Sequence, residues 1–392
     1  MSRLREMIQE LCPDGVEYRK LGEISSRVCS GGTPQASNPS YYTGNIPWLR
    51  TQEVNWGYIY DTDIKISKEA LQNSSAQWIS ENCVIVAMYG ATAAKVAINR
   101  IPLTTNQACC NLKINEKMAD YKYVYYWLSS QYEKLKAKGQ GSQSNINKKI
   151  IEQYPIPVPP LPIQNEIVKL LDNFTELTAE LTAELTAELT LRKKQYEYYR
   201  ARLLSFEKEQ IEWVKIESIC SIQRGRVMSK GYIAENKGNY PVYSSQTENN
   251  GELGRISSFD FEGEYLTWTT DGANAGTVFY RDGKFSVTNV CGLLKVKSDA
   301  LLTKYLYYVL SIEAPKYVNS GMGNPKLMSN VMACVKIPLP LLKRQKEIVT
   351  ILDRFDTLCN DLTQGLPAEI AARKKQYEYY RDKLLTFRRK EA

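Results

Sequence analysis

Thr178-Ala-Glu-Leu181, Thr182-Ala-Glu-Leu185 and Thr186-Ala-Glu-Leu189 are three perfect copies of one tetrapeptide. They lie within residues 156–206, a stretch that returns without a gap at residues 337–387 with 29 of 51 positions identical. The shared parts include Ile-x-Pro-x-Pro, Gln-x-Glu-Ile-Val, Leu-Asp-x-Phe and the nine residues Arg-Lys-Lys-Gln-Tyr-Glu-Tyr-Tyr-Arg that open at Arg192 and Arg373. Fainter echoes extend outward. Glu17–Leu21 resembles Glu212–Ile216, Lys122–Ser129 resembles Lys304–Ser311, and Gly139-Gln-Gly141 resembles Gly321-Met-Gly323. A period near 180 residues is too long for a solenoid, so the chain reads as two tandem half-molecules. The segments are a first variable domain (1–155), a central repeated region (156–206), a second variable domain (207–336) and a C-terminal repeated region (337–392).

Each repeated region reads as a long helix. Neither Gly nor Pro occurs from Ile163 to Phe206, and Leu177, Leu181, Leu185 and Leu189 recur at helical spacing, followed by Tyr196 and Tyr199. The second copy has Leu358, Leu362, Leu366, Tyr377 and Tyr380 at matching positions. Some 43 residues make a helix of roughly 65 Å, so the expected arrangement is two antiparallel helices forming a coiled-coil spacer, with these side chains as its seam. Gly365 and Pro367 replace Glu184 and Thr186 in the second copy, which predicts a bend or break there.

The variable domains have a different texture. Short β-rich runs such as Cys83–Ala87 and Glu264–Trp268 alternate with Gly, Asn, Ser and Thr turns. Proline straps at 155–162 and 337–340 read as extended approaches to the helices. The predicted class is therefore α+β: two mixed, strand- and loop-rich domains joined by the helical spacer.

Composition narrows function. The 392 residues carry a net charge of +8, which favours acidic partners, double-stranded DNA foremost. Histidine is absent, excluding every His-based triad, His general base and His-containing zinc site. No GxxxxGK[ST] loop occurs, against nucleotide hydrolysis. Asn38-Pro-Ser-Tyr41 lacks the preceding Gly-rich cofactor loop of an aminomethyltransferase and reads as a turn; Asp61-Thr-Asp63 reads as surface rather than a nuclease carboxylate pair. Nine cysteines without a CxxC pair suit reduced thiols. No apolar run reaches the ~18 residues of a membrane span, and the N-terminus lacks a signal-peptide core, so a cytoplasmic location is expected.

Several loops hold groups suited to DNA, because Arg matches guanine, Asn and Gln match adenine, and hydroxyls or exposed amides match phosphates. In the first domain the candidates are Gly31, Gly32, Thr33, Trp48, Arg50, Thr51, Gln52, Tyr89 and Thr92. In the second they are Arg224, Arg226, Ser245, Gln246, Thr247, Asn274 and Asn324. No catalytic or metal-binding set is recognised. A coiled-coil protein scaffold and a methyltransferase or nuclease with a degenerate site are the alternatives.

The whole chain resembles the specificity subunits of type I restriction-modification enzymes. The tetrapeptide tandem with its flanking motifs is the most specific element, and Gly31-Gly-Thr-Pro34, Ile46-Pro-Trp48 and Tyr240–Gln246 resemble stretches of their target-recognition domains. The resemblance implies two domains that each read half of a split, asymmetric DNA site, and helices that set the spacing and dock two modification (methyltransferase) subunits. S-adenosylmethionine, ATP and Mg2+ would belong to those partners and to separate restriction/motor subunits, with no cofactor on this chain.

Overall fold

The computed structural model describes residues 2–139, 145–206, 210–319, 321, 323–361 and 364–391. It forms two compact units, one comprising Met1–Ala183 and Ala371–Ala392, the other Glu184–Ile370.

In the first unit, Val84–Ala87 is an apolar run buried along its whole length, as expected of a strand covered on both faces. It lies inside a five-stranded sheet ordered β1 (Ser25–Ser30), β6 (Cys109–Ile114), β3 (Val84–Ala87), β4 (Val96–Asn99), Tyr58–Ile59. Strand periodicity divides its residues. Val84 and Val86 join the core shared with helix α1 (Tyr121–Ser130), while Ile85 and Ala87 join a second core with Leu49 and Leu103. Those two come from a four-stranded sheet ordered Lys65–Ile66, β2 (Ile46–Leu49), β5 (Leu103–Thr105), Trp78–Ile79.

The second unit repeats this plan. One sheet runs β7 (Cys220–Arg224), β12 (Cys291–Val296), β9 (Tyr265–Thr269), β10 (Val278–Arg281); the other runs Glu252–Ile256, β8 (Lys237–Tyr243), β11 (Lys284–Val287), Phe261–Glu262. The first sheet has five strands in the first unit and four in the second; in the other, four-stranded sheet of each unit one pair is parallel, β2 with β5 and β8 with β11, among otherwise antiparallel neighbours. The proline straps behave as predicted: Pro155–Pro157 pairs with Tyr18–Lys20, and Lys336–Pro338 with Trp213–Lys215.

The repeated motifs have repeated jobs. Gln164 and Gln345 are fully buried. Gln164 accepts from the Asp120 amide (3.0 Å) and donates to the carbonyls of Met118 (3.2 Å) and Pro159 (2.7 Å). Gln345 accepts from the Leu302 amide (2.9 Å) and donates to the carbonyls of Ala300 and Pro340, both at 2.8 Å. Each glutamine ties the start of its long helix to the preceding domain. Eight residues on, Asp172 accepts from Tyr126 (2.7 Å) and pairs with Lys122 (2.7 Å). Asp353 does the same with Tyr308 and with Lys304 (3.3 Å).

Helix α2 runs unbroken over Leu161–Leu203, 43 residues. The second helical region is two helices, α4 (Leu342–Asn360) and α5 (Leu366–Leu385), preceded in the second unit by α3 (Thr303–Glu313). The predicted break at Gly365 and Pro367 is present. A Cβ on Gly365 would lie 2.4 Å from the Thr357 carbonyl and 2.8 Å from that of Leu358, so the chain passes close over the end of α4 where only glycine fits. In the first unit α2 meets α5, with Phe174 against Tyr380 (6.1 Å) and Thr175 bonded to Tyr377 (3.0 Å). In the second unit Tyr196 and Tyr199 stack on Phe355 of α4 at 6.2 and 5.6 Å. In the first unit the partner numbers fall as the α2 numbers rise, which makes that pairing antiparallel.

The seam differs in detail from the leucine reading. Leu181, Leu185 and Leu189 are half-buried, but Leu177 is 61% exposed and Thr178 takes the inward position. From Phe174 the packed face passes to Thr178, four residues on, and not to Leu177, three on; both spacings lie on one helical face, so the packing partner selects between them. Leu358 and Leu366 are half-buried, whereas fully buried Cys359 is the core residue that the pattern omitted. Leu362 lies outside the described residues.

Candidate nucleic-acid interface

Parallel pairing of β2 with β5 places Trp48 beside Thr104 and Leu49 beside Thr105, and the Asn106 amide donates to the Leu49 carbonyl at 2.9 Å. This brings segments 31–33, 50–52 and 105–107 to one edge. The turn Gly90–Thr92 joins them, since the Thr92 hydroxyl donates to the Thr51 carbonyl at 2.7 Å. In the second unit β8 and β11 bring together segments 244–247 and 288–290, the Thr288 amide donating to Tyr243 at 2.9 Å. Segment 270–274 closes on them through Thr270, which donates to Val290 (2.7 Å), and through Asn274, which donates to Thr247 (3.0 Å). Gly272 donates to Pro325 at 3.0 Å, bringing exposed Asn324 alongside.

The two clusters are equivalent position by position. A Cβ on Gly31 would lie 1.8 Å from the Thr105 carbonyl, and one on Gly225 would lie 1.7 Å from that of Val287. Gly90 and Gly272 have φ of +78° and +91°. Ala87 pairs with Cys109 as Thr269 pairs with Cys291, which makes Thr92 and Asn274 counterparts. Counting on from the parallel strands, Arg50-Thr51-Gln52 corresponds to Ser244-Ser245-Gln246.

Several sequence-chosen residues are placed otherwise than expected. Trp48 is 4% exposed and its indole donates to the Gly32 carbonyl at 2.9 Å, so its ring is core and cannot stack on a base. Gly31 and Gly32 are buried by the close approach of Thr105 and Ala76, and the Gly32 amide is spent on the Thr105 carbonyl. They are packing glycines rather than phosphate ligands. Arg50 is held inward: its guanidinium lies 3.6 Å from Glu53 and 4.0 Å from Asp63, and its fork reaches Gln52. Ser245 bonds the Val290 carbonyl and accepts from Thr270. Arg226 is paired with Asp260 at 3.1 Å and lies over the Tyr232 ring.

Thr33, Gln52, Tyr89, Arg224, Asn274 and Asn324 are exposed, while Thr51, Thr92, Gln246 and Thr247 are half-buried. Thr33 is bonded to Gln107, a residue of the same cluster that the sequence did not single out. Arg224 donates to the Ser329 hydroxyl at 3.2 Å.

Arg281 was also illegible. It is 3% exposed, and no carboxylate is paired with it among the described residues. Its guanidinium sits 3.6 Å from the Tyr243 ring centre, donates to Thr267 (3.1 Å) and to the Asn250 carbonyl (2.8 Å), and burial lowers its pKa from the usual arginine value. Tyr243 ends β8, and Asn249, Asn250 and Gly251 all have positive φ. The cation therefore clamps the Ser244–Gly251 loop from beneath. Only a buried arginine in an alternating strand would have hinted at it, and alternation in Val278–Arg281 is short.

The tyrosines of the helices also separate. Tyr196, Tyr199, Tyr377 and Tyr380 turn inward, whereas the equivalent pair Tyr198 and Tyr379 are 59% and 60% exposed. Each has a basic side chain one turn on: Arg202 donates to the Tyr198 hydroxyl at 3.3 Å, and Lys383 lies 5.6 Å from the Tyr379 ring. The turn at Asn38 is confirmed, its side chain accepting from the Ser40 amide at 3.2 Å, and Asp61 forms a surface pair with Lys65 at 3.1 Å. No described helix is long and apolar enough to cross a membrane.

A fold made twice, with equivalent loop clusters that differ in side chains, is that of a two-domain recognition protein. The model of the type I restriction modification DNA specificity domain matches residues 13–191 and 208–372, and the chain belongs to that family. A putative type I specificity subunit of Mycoplasma pneumoniae is 48% identical over 239 residues, covering 59% of this chain and 92% of that one. The EcoR124I/EcoR124II type I restriction enzyme specificity subunit of Escherichia coli is 36% identical over 296 residues, 68% of this chain and 70% of that one. A chain solved in work on assembly and conformational transition of the type I system has the same fold, with TM-score 0.69 at 18% identity over 95% of this chain and 97% of its own. The HsdS subunit of Thermoanaerobacter tengcongensis matches with TM-score 0.56 at 18% identity over 96% and 97%. The chain is a DNA specificity subunit of a type I restriction-modification system.

Proposed function

We propose that this chain is the non-catalytic reader of its complex, acting in the cytoplasm on double-stranded DNA. The loop cluster of each unit reads one half of a bipartite, asymmetric site. The observation that carries this reading is that one backbone arrangement presents different side chains at equivalent positions: Thr92 against Asn274, and, two residues beyond Thr105 and Val287, exposed Gln107 against exposed Asn289. A conserved frame with exchangeable contacts suits base readout, in which groups at the groove edge decide sequence.

Helices α2, α4 and α5 set the half-site spacing and dock two modification subunits, with the outward Tyr198/Arg202 and Tyr379/Lys383 pairs as the contact points. Aromatic and arginine side chains are the usual anchors of such contacts. S-adenosylmethionine is bound by the modification subunits, and ATP and Mg2+ by the restriction/motor subunits. What supports the partner assignment is that a protein of the same fold was solved in the context of type I complex assembly.

The test is a segment exchange. Replacing residues 15–155 with the counterpart from a relative, co-expressed with the modification subunits, should change one half of the methylated motif and leave the other intact. A change in both halves, or in neither, refutes the modular reading.

A further inference from the structure

Gln52 and Gln246 occupy the same place in the two units, three residues beyond Leu49 and Tyr243, the last residues of the parallel strands β2 and β8. Their side chains are held by opposite chemistry. Two nitrogens of the Arg50 guanidinium lie 2.8 and 3.2 Å from the inward amide atom of Gln52. A guanidinium can only donate, so that atom is the oxygen. Arg50 is itself fixed by Glu53, whose other carboxylate oxygen accepts from the Asp63 amide at 2.9 Å. The outward atom of Gln52 is then the NH2 group.

Gln246 is the reverse. Its inward atom lies 2.6 Å from the Glu252 carbonyl oxygen, which can only accept, so that atom is the nitrogen. The outward atom is the oxygen. Arg281 holds the loop between them by bonding the Asn250 carbonyl.

We infer that Gln52 and Gln246 are equivalent specificity-determining residues that read opposite edges: Gln52 donates to the keto edge of guanine or thymine, and Gln246 accepts from the amino group of adenine or cytosine. In the major groove adenine N7, guanine O6 and N7 and thymine O4 accept, whereas adenine N6 and cytosine N4 donate, so the keto oxygens O6 and O4 are the acceptors that adenine and cytosine lack. The polarity is set by the neighbour behind each amide, a guanidinium in one unit and a carbonyl in the other. The inference rests on the two-half reading proposed above.

The test compares Q52A, Q52E, Q246A and Q246E, each co-expressed as the full chain with its modification subunits, by sequencing the methylated bases of the host DNA. Glutamate can only accept. Q52A and Q52E should both lose discrimination at one position of the first unit's half-site, with methylation of sites carrying the cognate base at that position favoured roughly 10- to 100-fold less. Q246A should relax one position of the other half-site, whereas Q246E, which keeps the outward oxygen, should retain it. Because Q246E sets a carboxylate against the Glu252 carbonyl and can misfold, the wild-type complex is also bound to duplexes altered at the position that Q246A relaxes. An analogue lacking the exocyclic amino group should weaken that binding about tenfold. If the wild type methylates no bipartite motif, the reading of the whole chain fails. A bipartite wild-type motif that Q52A and Q246A leave unchanged, retention by Q52E, or binding indifferent to the analogue overturns the polarity inference alone.

Discussion

Replacing Gln345 tests whether the repeated Gln-x-Glu-Ile-Val motif is a fastening, as the structure indicates. Its amide is fully buried and serves three backbone groups, the Leu302 amide at 2.9 Å and the Ala300 and Pro340 carbonyls at 2.8 Å each. Gln345→Met keeps the volume and strands all three. A buried backbone group left without a partner costs about 1–3 kcal/mol. Local relaxation, which admits water near the exposed start of α4, keeps the total near the lower end, about 4 kcal/mol. For a domain of this size each kcal/mol lowers Tm by roughly 2–4 °C, so the second unit should melt roughly 8–16 °C lower. Gln345→Glu is the sharper variant, because it preserves shape and the acceptor for Leu302 but faces two carbonyls with an oxygen; it should cost at least as much. Calorimetry and denaturant unfolding of the full chain read both variants, and Gln164→Met should act the same way on the first unit. A loss below about 1 kcal/mol for Gln345→Met and Gln345→Glu alike would refute the fastening role.

Arg281→Met should leave overall stability within about 1 kcal/mol, because removing a buried cation recovers the desolvation that its hydrogen bonds offset. It should nonetheless make the 244–251 loop more open to limited proteolysis and hydrogen exchange; unchanged protection would count against the clamp. Gly365→Ala forces a methyl to 2.4 Å from the Thr357 carbonyl and should cost about 2 kcal/mol, read as a lower melting temperature. Tyr198→Glu and Tyr379→Glu, both surface changes, should each remove one modification subunit, giving a 1:1 complex by analytical ultracentrifugation without loss of helicity; retention of both subunits would refute the docking assignment. Deleting Thr186–Leu189 shortens α2 by ~6 Å with ~40° of rotation, against ~3.4 Å per base pair. The methylated motif should then keep both half-sites with a spacer shorter by about one to two base pairs, whereas a two-residue deletion, turning the helix by ~160°, should abolish activity.

The duplication, the unbroken helix, the proline straps and the break at Gly365 were all readable from the chain, because each depends on residues near one another. Helical period, a missing amide hydrogen or a missing Cβ acts within a few positions. Even there the phase of the seam was misread at Leu177, since which of two neighbouring residues faces inward is settled by the partner helix and not by the helix itself. The candidate site was legible only as a set of loops. Their convergence depends on parallel pairing of strands some 55 residues apart in the first unit and some 45 in the second, a contact with no local signature. That pairing put Trp48 in the core and pressed Gly31 against Thr105. Residue type promised that Arg50 and the two glutamines could read bases. Only the tertiary structure decided that Arg50 is occupied behind Gln52, and that the two amides face outward with opposite ends, because a hydrogen-bonding side chain takes its orientation from what the fold places behind it.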